Sequence, residues 1–343
     1  MRDDKRLRYV SKPMEYQMHS ASRRSFLARS TASAAALAVA GLPALRPASA
    51  QGLAPINVAA IPSDISGSAY YAAANGYFKK AGLEATFGAF TSGAAIAAAV
   101  ISGSADVGYS NVISLAIAHV KGLPVTILVP ANLHVHEAPT AGLLAVKADS
   151  PIKTAKDFNG KIIAVIGLNN IADIAAREWI DKNGGDSKTV KSVELPFSTM
   201  KAALEAGRID GASLDTTGDP ILGKPGDTLR LVGSTFDAIS PHFAPSVWFS
   251  TKAWVAKNPG HAKAFVAAMR EAGGWANTHH RESAEILAKY ARNTAEQIDR
   301  FTRVTYGEKL PPELIQPNID AAAKYGVIPA SFPARELISS VAG

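Results

Sequence analysis

From residue 55 onward, short apolar runs alternate with amphipathic stretches of helical length, and polar or glycine-bearing turns divide them. Residues 56–61 read as a strand, 62–68 as a polar loop, 69–80 as a helix stopped at Gly82, and 84–90 as the next strand. This is the grammar of a βα unit. The stretch 91–124 continues it with the turn Thr91-Ser92-Gly93, an alanine-rich helix, the apolar run 106–109, the turn Ser110-Asn111 and a second helix closed by Gly122-Leu123-Pro124. Strands at 125–129 and 141–146 follow. Runs that are apolar on both faces and alternate with helices predict an α/β fold with mainly parallel sheets covered on both sides.

The pattern then repeats. Residues 162–166 read as a strand, Gly167-Leu168-Asn169-Asn170 as a turn and 171–183 as a helix, with further strands at 192–195 and 207–214 around a helix at 200–206. Gly207 and Asp210 in the last of these copy Gly103 and Asp106, so Asp215-Thr216-Thr217 occupies the place of Ser110-Asn111. After a strand at 229–232 and an extended segment at 245–250, residues 252–280 and 282–292 read as amphipathic helices, with Phe265 and Met269 on a buried face. Prolines at 311, 312, 329 and 333 divide the tail into short pieces. The strand-to-helix turns place polar side chains and free backbone N–H groups at the carboxyl edge of a sheet. Open α/β sheets bind ligands there, and helix N-termini favour anions and other acceptors. The same residue types also serve as plain helix caps.

Composition narrows the classes of function. With 343 residues and 47% hydrophobic content, the chain is long enough for two domains. Its formal charge of +7 comes from the amino terminus, because nine of the 36 basic residues but only three of the 29 acidic ones fall in residues 1–50. The remainder is close to neutral, which argues against a nucleic-acid footprint. The absence of cysteine excludes disulfides, thiolate metal sites and cysteine nucleophiles. Ser22-Arg23-Arg24-Ser25-Phe26-Leu27, the apolar segment 34–45 and the small-residue site Ala48-Ser49-Ala50 form a twin-arginine export leader. Residues 1–50 are therefore expected to be removed, leaving a mature start near Gln51 in the periplasm.

An ordered set of short motifs adds a resemblance. Residues 76–83 (GYFKKAGL), 92–95 (SGAA), 102–108 (SGSADVG) and 118–124 (AHVKGLP) resemble the periplasmic solute-binding proteins of ABC importers for taurine, alkanesulfonates and nitrate, a family with a branch similar to pyrimidine-precursor binding and synthesis proteins of thiamine metabolism. The resemblance implies a type II-like periplasmic-binding-protein fold of two α/β lobes. Lobe one is expected to comprise residues 51–146 and 245–343, and lobe two residues 147–244. It implies capture of a small polar or anionic solute by hinge closure, with no cofactor, no catalysis and a monomeric state. The implied partners are a membrane permease and, during export, the twin-arginine translocase.

The candidate ligand contacts are Ser63, Asp64, Ser92, Gly93, Ser110 and Asn111 from lobe one, and Asn169, Asn170, Asp215 and Thr217 from lobe two. His134 in the first crossover and Trp248 in the second complete the set. Uncharged donors at helix N-termini suit a sulfonate or carboxylate, whereas Asp64 or Asp215 facing the cleft would pair with an ammonium or N–H group. His134, His136 and Glu137 form a second, metal-binding possibility. An enzyme resembling the pyrimidine synthases is the alternative from another class. Those relatives are expected to carry a cysteine-rich iron site, which this chain lacks the residues to build. An exported ligand sensor is a third.

Overall fold

Strand order decides where the ligand edge lies. The computed structural model describes residues 52–90, 92–215, 227–291, 293–300 and 302–342; the leader, Thr91 and Thr217 lie outside them. β1 (Ala54–Ala60) pairs in parallel with β2 (Leu83–Ala89) and β3 (Val107–Asn111). β4 (Val125–Val135) lies at the far edge of the same sheet. The second sheet holds β5 (Ala141–Lys147), β6 (Ile162–Val165), β7 (Lys191–Glu194), β8 (Gly211–Asp215) and β9 (Leu229–Ser234). β10 (His242–Thr251) then returns to the first sheet between β3 and β4, giving the orders β2-β1-β3-β10-β4 and β7-β6-β8-β5-β9.

Each sheet has one strand that opposes its neighbours. β10 is antiparallel to β3 and β4, and β5 is antiparallel to β8 and β9. These are the two strands on which the chain arrives from the other sheet. The remaining strands of each sheet run one way, so their carboxyl ends gather at one edge.

Helices cover both faces. α1 (Gly67–Ala74) and α2 (Tyr77–Lys80) follow β1, α3 (Gly93–Ile101) links β2 to β3, and α4 (Val112–Val120) follows β3. In the second lobe α5 (Ile171–Lys182) follows β6 and α6 (Phe197–Glu205) follows β7. Side-chain alternation along β5 shows how that lobe is built. Leu143 and Ala145 join Met200, Ala203 and Leu204 of α6 in one core, while Leu144 and Val146 join Phe158 and Ile180 in another on the opposite face.

The helix expected across 252–280 is two, α7 (Lys252–Lys257) and α8 (Pro259–Ala276). Pro259 sits at the first turn of α8 and excludes the helical conformation from Asn258 before it, whose φ and ψ are −127° and 51°. α9 (His280–Leu287), α10 (Ala295–Asp299) and α11 (Gln316–Lys324) complete the first lobe's cover. None of the described helices is long and apolar enough to cross a membrane.

The lobe boundaries differ from the expected ones. Residues 141–146, expected in lobe one, belong to β5 of the second sheet, and β10 of the first sheet begins at His242, before residue 245. The crossovers are thus 136–140 and 235–241, and they run side by side. Both the backbone N–H and the hydroxyl of Thr235 donate to Gly142 O, at 2.7 and 2.8 Å, and His136 N–H donates to Pro241 O at 3.0 Å. Gly142 must be glycine: its φ is +68°, and a Cβ there would stand 2.3 Å from the Phe236 ring.

Candidate functional site

A cavity of about 200 Å³ opens between the two sheets at the strand edge. Three helix N-termini with side-chain caps reach its wall. Ser92 caps α3, its hydroxyl accepting from Ala95 N at 3.3 Å, and Gly93 and Ala94 follow it along the lining. Gly93 allows this helix to approach the next turn, since a Cβ there would lie 3.3 Å from Ser110 Oγ. Asn111 ends β3 and caps α4: its Oδ1 accepts from Ser114 N at 2.9 Å and its Nδ2 donates to Ser114 Oγ at 2.8 Å. Asn170 caps α5, accepting from Ala172 N and Asp173 N at 2.9 and 3.2 Å. In all three caps the side-chain oxygen serves its own helix. Amide N–H groups and the Ser114 hydroxyl are what remain for a ligand.

The second sheet supplies the acidic wall. Asp215, at the end of β8, is 2% exposed and lines the cavity, as does Glu194 at the end of β7. Ser213 shares a face of β8 with Asp215 and is 1% exposed, and its Oγ has no hydrogen-bond partner among the described residues. Leaving a buried hydroxyl unpaired costs about 1–3 kcal/mol. Ile166, Leu168, Phe197 and Phe236 form much of the apolar lining. From the first sheet come Tyr109, Asn132 and Ser246, the Ser246 hydroxyl donating to Asn132 Oδ1. Burial pushes the Tyr109 phenol well up; contact with Ser246 opposes this and the nearby Asp215 carboxylate adds to it, so the phenol stays protonated.

Of the expected contacts, Ser92, Gly93, Asn111, Asn170 and Asp215 meet at this cavity. Thr217 lies outside the described residues, and the other expected contacts stand elsewhere. Asp64 is fully buried and faces away: Arg303 grips both its carboxylate oxygens at 2.9 and 2.7 Å, and Val304 N, Tyr71 and Tyr306 also donate to it. Ser63 beside it is off the lining, where Ile61 and Ile65 take its place. Ser110 is buried behind Gly93. Asn169 adopts φ +57° and donates its backbone N–H to Asp173, which turns it out of the cavity. Trp248 is fully buried in the first core, edge-on to Tyr109 and Phe265.

His134 is also removed from the lining. β4 runs on past residue 129, where the strand was expected to end, into the stretch expected to be the first crossover, and His134 is buried with Nε2 2.8 Å from Asp237 Oδ1. His136 Nδ1 approaches the same oxygen at 3.0 Å. Burial lowers the His134 pKa, with Asp237 opposing, whereas the hydrogen bond that exposed His136 donates to Asp237 raises its own. Burial alone would raise the Asp237 carboxyl, but the two histidines hold it below its ordinary range. No group of His, Cys, Asp and Glu among the described residues is arranged to hold a metal ion.

Sequence reasoning missed Ser213, Glu194, Asn132 and Ser246. Glu194 was within reach of the carboxyl-edge rule applied to β7, and Ser213 within reach of two-residue alternation back from Asp215. Asn132 and Ser246 carried no such signal, because their pairing depends on β10 entering beside β4.

The sequence profile of a family described as NMT1/THI5 like matches residues 66–283. No curated protein matches the chain in sequence. Among solved structures, the periplasmic aliphatic sulphonate binding protein SsuA of Escherichia coli is 18% identical with a TM-score of 0.67, over 83% of this chain and 92% of that one. The periplasmic nitrate-binding protein NrtA of Synechocystis PCC 6803 is 16% identical with a TM-score of 0.68, over 84% and 86%. The alkanesulfonate-binding protein SsuA of Xanthomonas axonopodis pv. citri, bound to MOPS, is 16% identical with a TM-score of 0.67, over 83% and 98%. At these identities the likeness is one of fold.

Proposed function

The chain belongs to the NMT1/THI5-like family, and from that premise we propose that it is the substrate-binding component of an ABC importer, capturing a small polar organic solute of sulfonate or taurine type between its lobes. The observation that carries this reading is the cavity itself. It is walled from both sheets, and three capped helix N-termini bring oriented N–H groups to it. A volume of about 200 Å³ lies below that of sites for drug-sized molecules and suits a metabolite. The solved sulfonate- and nitrate-binding proteins sharing the fold support the same class of ligand.

In this mechanism the lobes rotate about the paired crossovers 136–140 and 235–241. A ligand touching both lobes favours the closed arrangement by the difference between its affinities for the two states. The protein is exported through the twin-arginine translocase, loses its leader near Ala50 and acts in the periplasm as a monomer that presents its closed form to a permease.

A thermal-shift screen against sulfonates, nitrate, amino acids, pyrimidines and aromatic acids tests the reading. A true ligand at a hundred times its Kd adds about 2.7 kcal/mol to folding stability and raises Tm accordingly. No shift across these classes, together with product formation in a turnover assay, would overturn it.

A further inference from the structure

An exposed leucine marks the mouth of the cavity. Of the large apolar side chains that are exposed among the described residues, Leu168 alone lines the cavity, and it is 48% exposed. The turn that carries it is locked on both sides. Its own backbone N–H donates to Glu194 Oε2 at 3.3 Å. Asn169 after it has a φ of +57° and donates its backbone N–H to Asp173 Oδ2 at 2.9 Å. Asp173 is fully buried and is itself held by Arg177, which donates from Nε and Nη2 at 3.2 and 2.9 Å, and by the Ser192 hydroxyl at 2.6 Å. A side chain on a backbone fixed in this way gives up little freedom when something packs on it. Other apolar side chains of the lining are only half-buried: Ile61 and Ile65 from the first lobe, Ile166 and Phe197 from the second. Apolar surface left accessible on both walls of one cavity is surface that a ligand can take out of water.

We propose that Leu168 is a specificity-determining residue, a fixed lip that closes over the apolar body of the ligand, so that the preferred solute carries an aryl or branched-alkyl body on its polar head. This rests on the solute-binding reading and adds a selection rule to it. The polar head meets the oriented N–H groups of the capped helices. The body lies between Ile61 and Ile65 of the first lobe and Leu168 and Phe197 of the second. Closure buries these side chains together with the body, and the apolar area removed from water adds to affinity in proportion. Nitrate has no apolar body to cover and taurine little, so both leave Leu168 in water and forgo that contribution.

The test is calorimetric titration of the purified protein with probes matched in head and differing in body. Methanesulfonate is compared with benzenesulfonate, and acetate with phenylacetate and isovalerate, with nitrate and taurine alongside. At least one apolar-bodied probe should bind roughly ten or more times as tightly as the methyl compound with the same head, and more tightly than nitrate or taurine. Leu168→Ala should weaken that probe roughly fivefold to twentyfold and leave the methyl compounds unmoved. It should also leave the Tm of the ligand-free protein unchanged, because an exposed side chain contributes little to folding. Leu168→Met should keep most of the affinity, since it restores apolar volume of similar size. Methyl compounds, nitrate or taurine binding as tightly as the apolar-bodied probes, or apolar-bodied affinity unmoved by Leu168→Ala, would overturn the lip and leave the solute-binding role standing. Binding of no probe of any size would count against both.

Discussion

Asp64 and Asp215 look alike in the sequence, each an acid just beyond a short buried strand, yet only one lines the cavity. Asp64 is bound by Arg303, 239 residues away, within a cluster completed by Tyr71 and Tyr306. The Arg303 side chain is only 4% exposed. Nothing local to Asp64 announces that partner, so the sequence offered no means of telling a structural carboxylate from a ligand contact. The pair ties the loop after β1 to the C-terminal segment. Removing one member of a buried ion pair leaves the other charged and unsolvated. Asp64→Ala should therefore cost about 3–5 kcal/mol in urea unfolding at neutral pH, with ligand affinity nearly unchanged in the molecules that fold.

Among the elements, the βα grammar was legible from apolar runs and glycine stops, and the caps at Ser92, Asn111 and Asn170 fell where it put them. The end of β4 was not legible. Asn132 and His134 are polar, and only their partners Ser246 and Asp237, brought in by the returning chain, make burial possible there. The Asp237 cluster gives the crossovers a pH dependence. His136 has a raised pKa, so its contribution is complete below its ordinary 6.5 and fades as pH rises through the raised folded value. His134 has a lowered pKa, so burying it neutral costs stability as pH falls below 6.5, a cost that Asp237 reduces. Both effects make Asp237 matter more in acid. Asp237→Asn should destabilise the protein more at about pH 5.5 than at about pH 8.5 in parallel thermal melts, and the His136 imidazole should return toward its ordinary 6.5 in an NMR titration.

At the scale of the whole molecule, the lobes also meet away from the cavity. α11 packs on α4 of the first lobe and reaches α5 of the second, where Lys324 Nζ bonds both oxygens of Glu178 at 2.8 and 2.7 Å and the Tyr325 hydroxyl donates to Asp181 at 2.8 Å. Burial would raise the Glu178 carboxyl, but hydrogen bonds from Lys324, Lys182 and Tyr325 hold it below its ordinary 4.5. A depressed carboxylate contributes above its ordinary pKa and loses that contribution as pH falls through the folded value. Lys324→Met should thus lower folding stability by about 1 kcal/mol at pH 7 in urea unfolding, with the gap from wild type narrowing below about pH 4.5. The proposed function is reversible capture of one small solute between the two lobes. Calorimetric titration with a thermal-shift hit, followed by recovery of the solute, tests this most directly. One solute bound per chain and recovered chemically unchanged is the predicted result; no saturable binding, or recovery of a converted product, would contradict it.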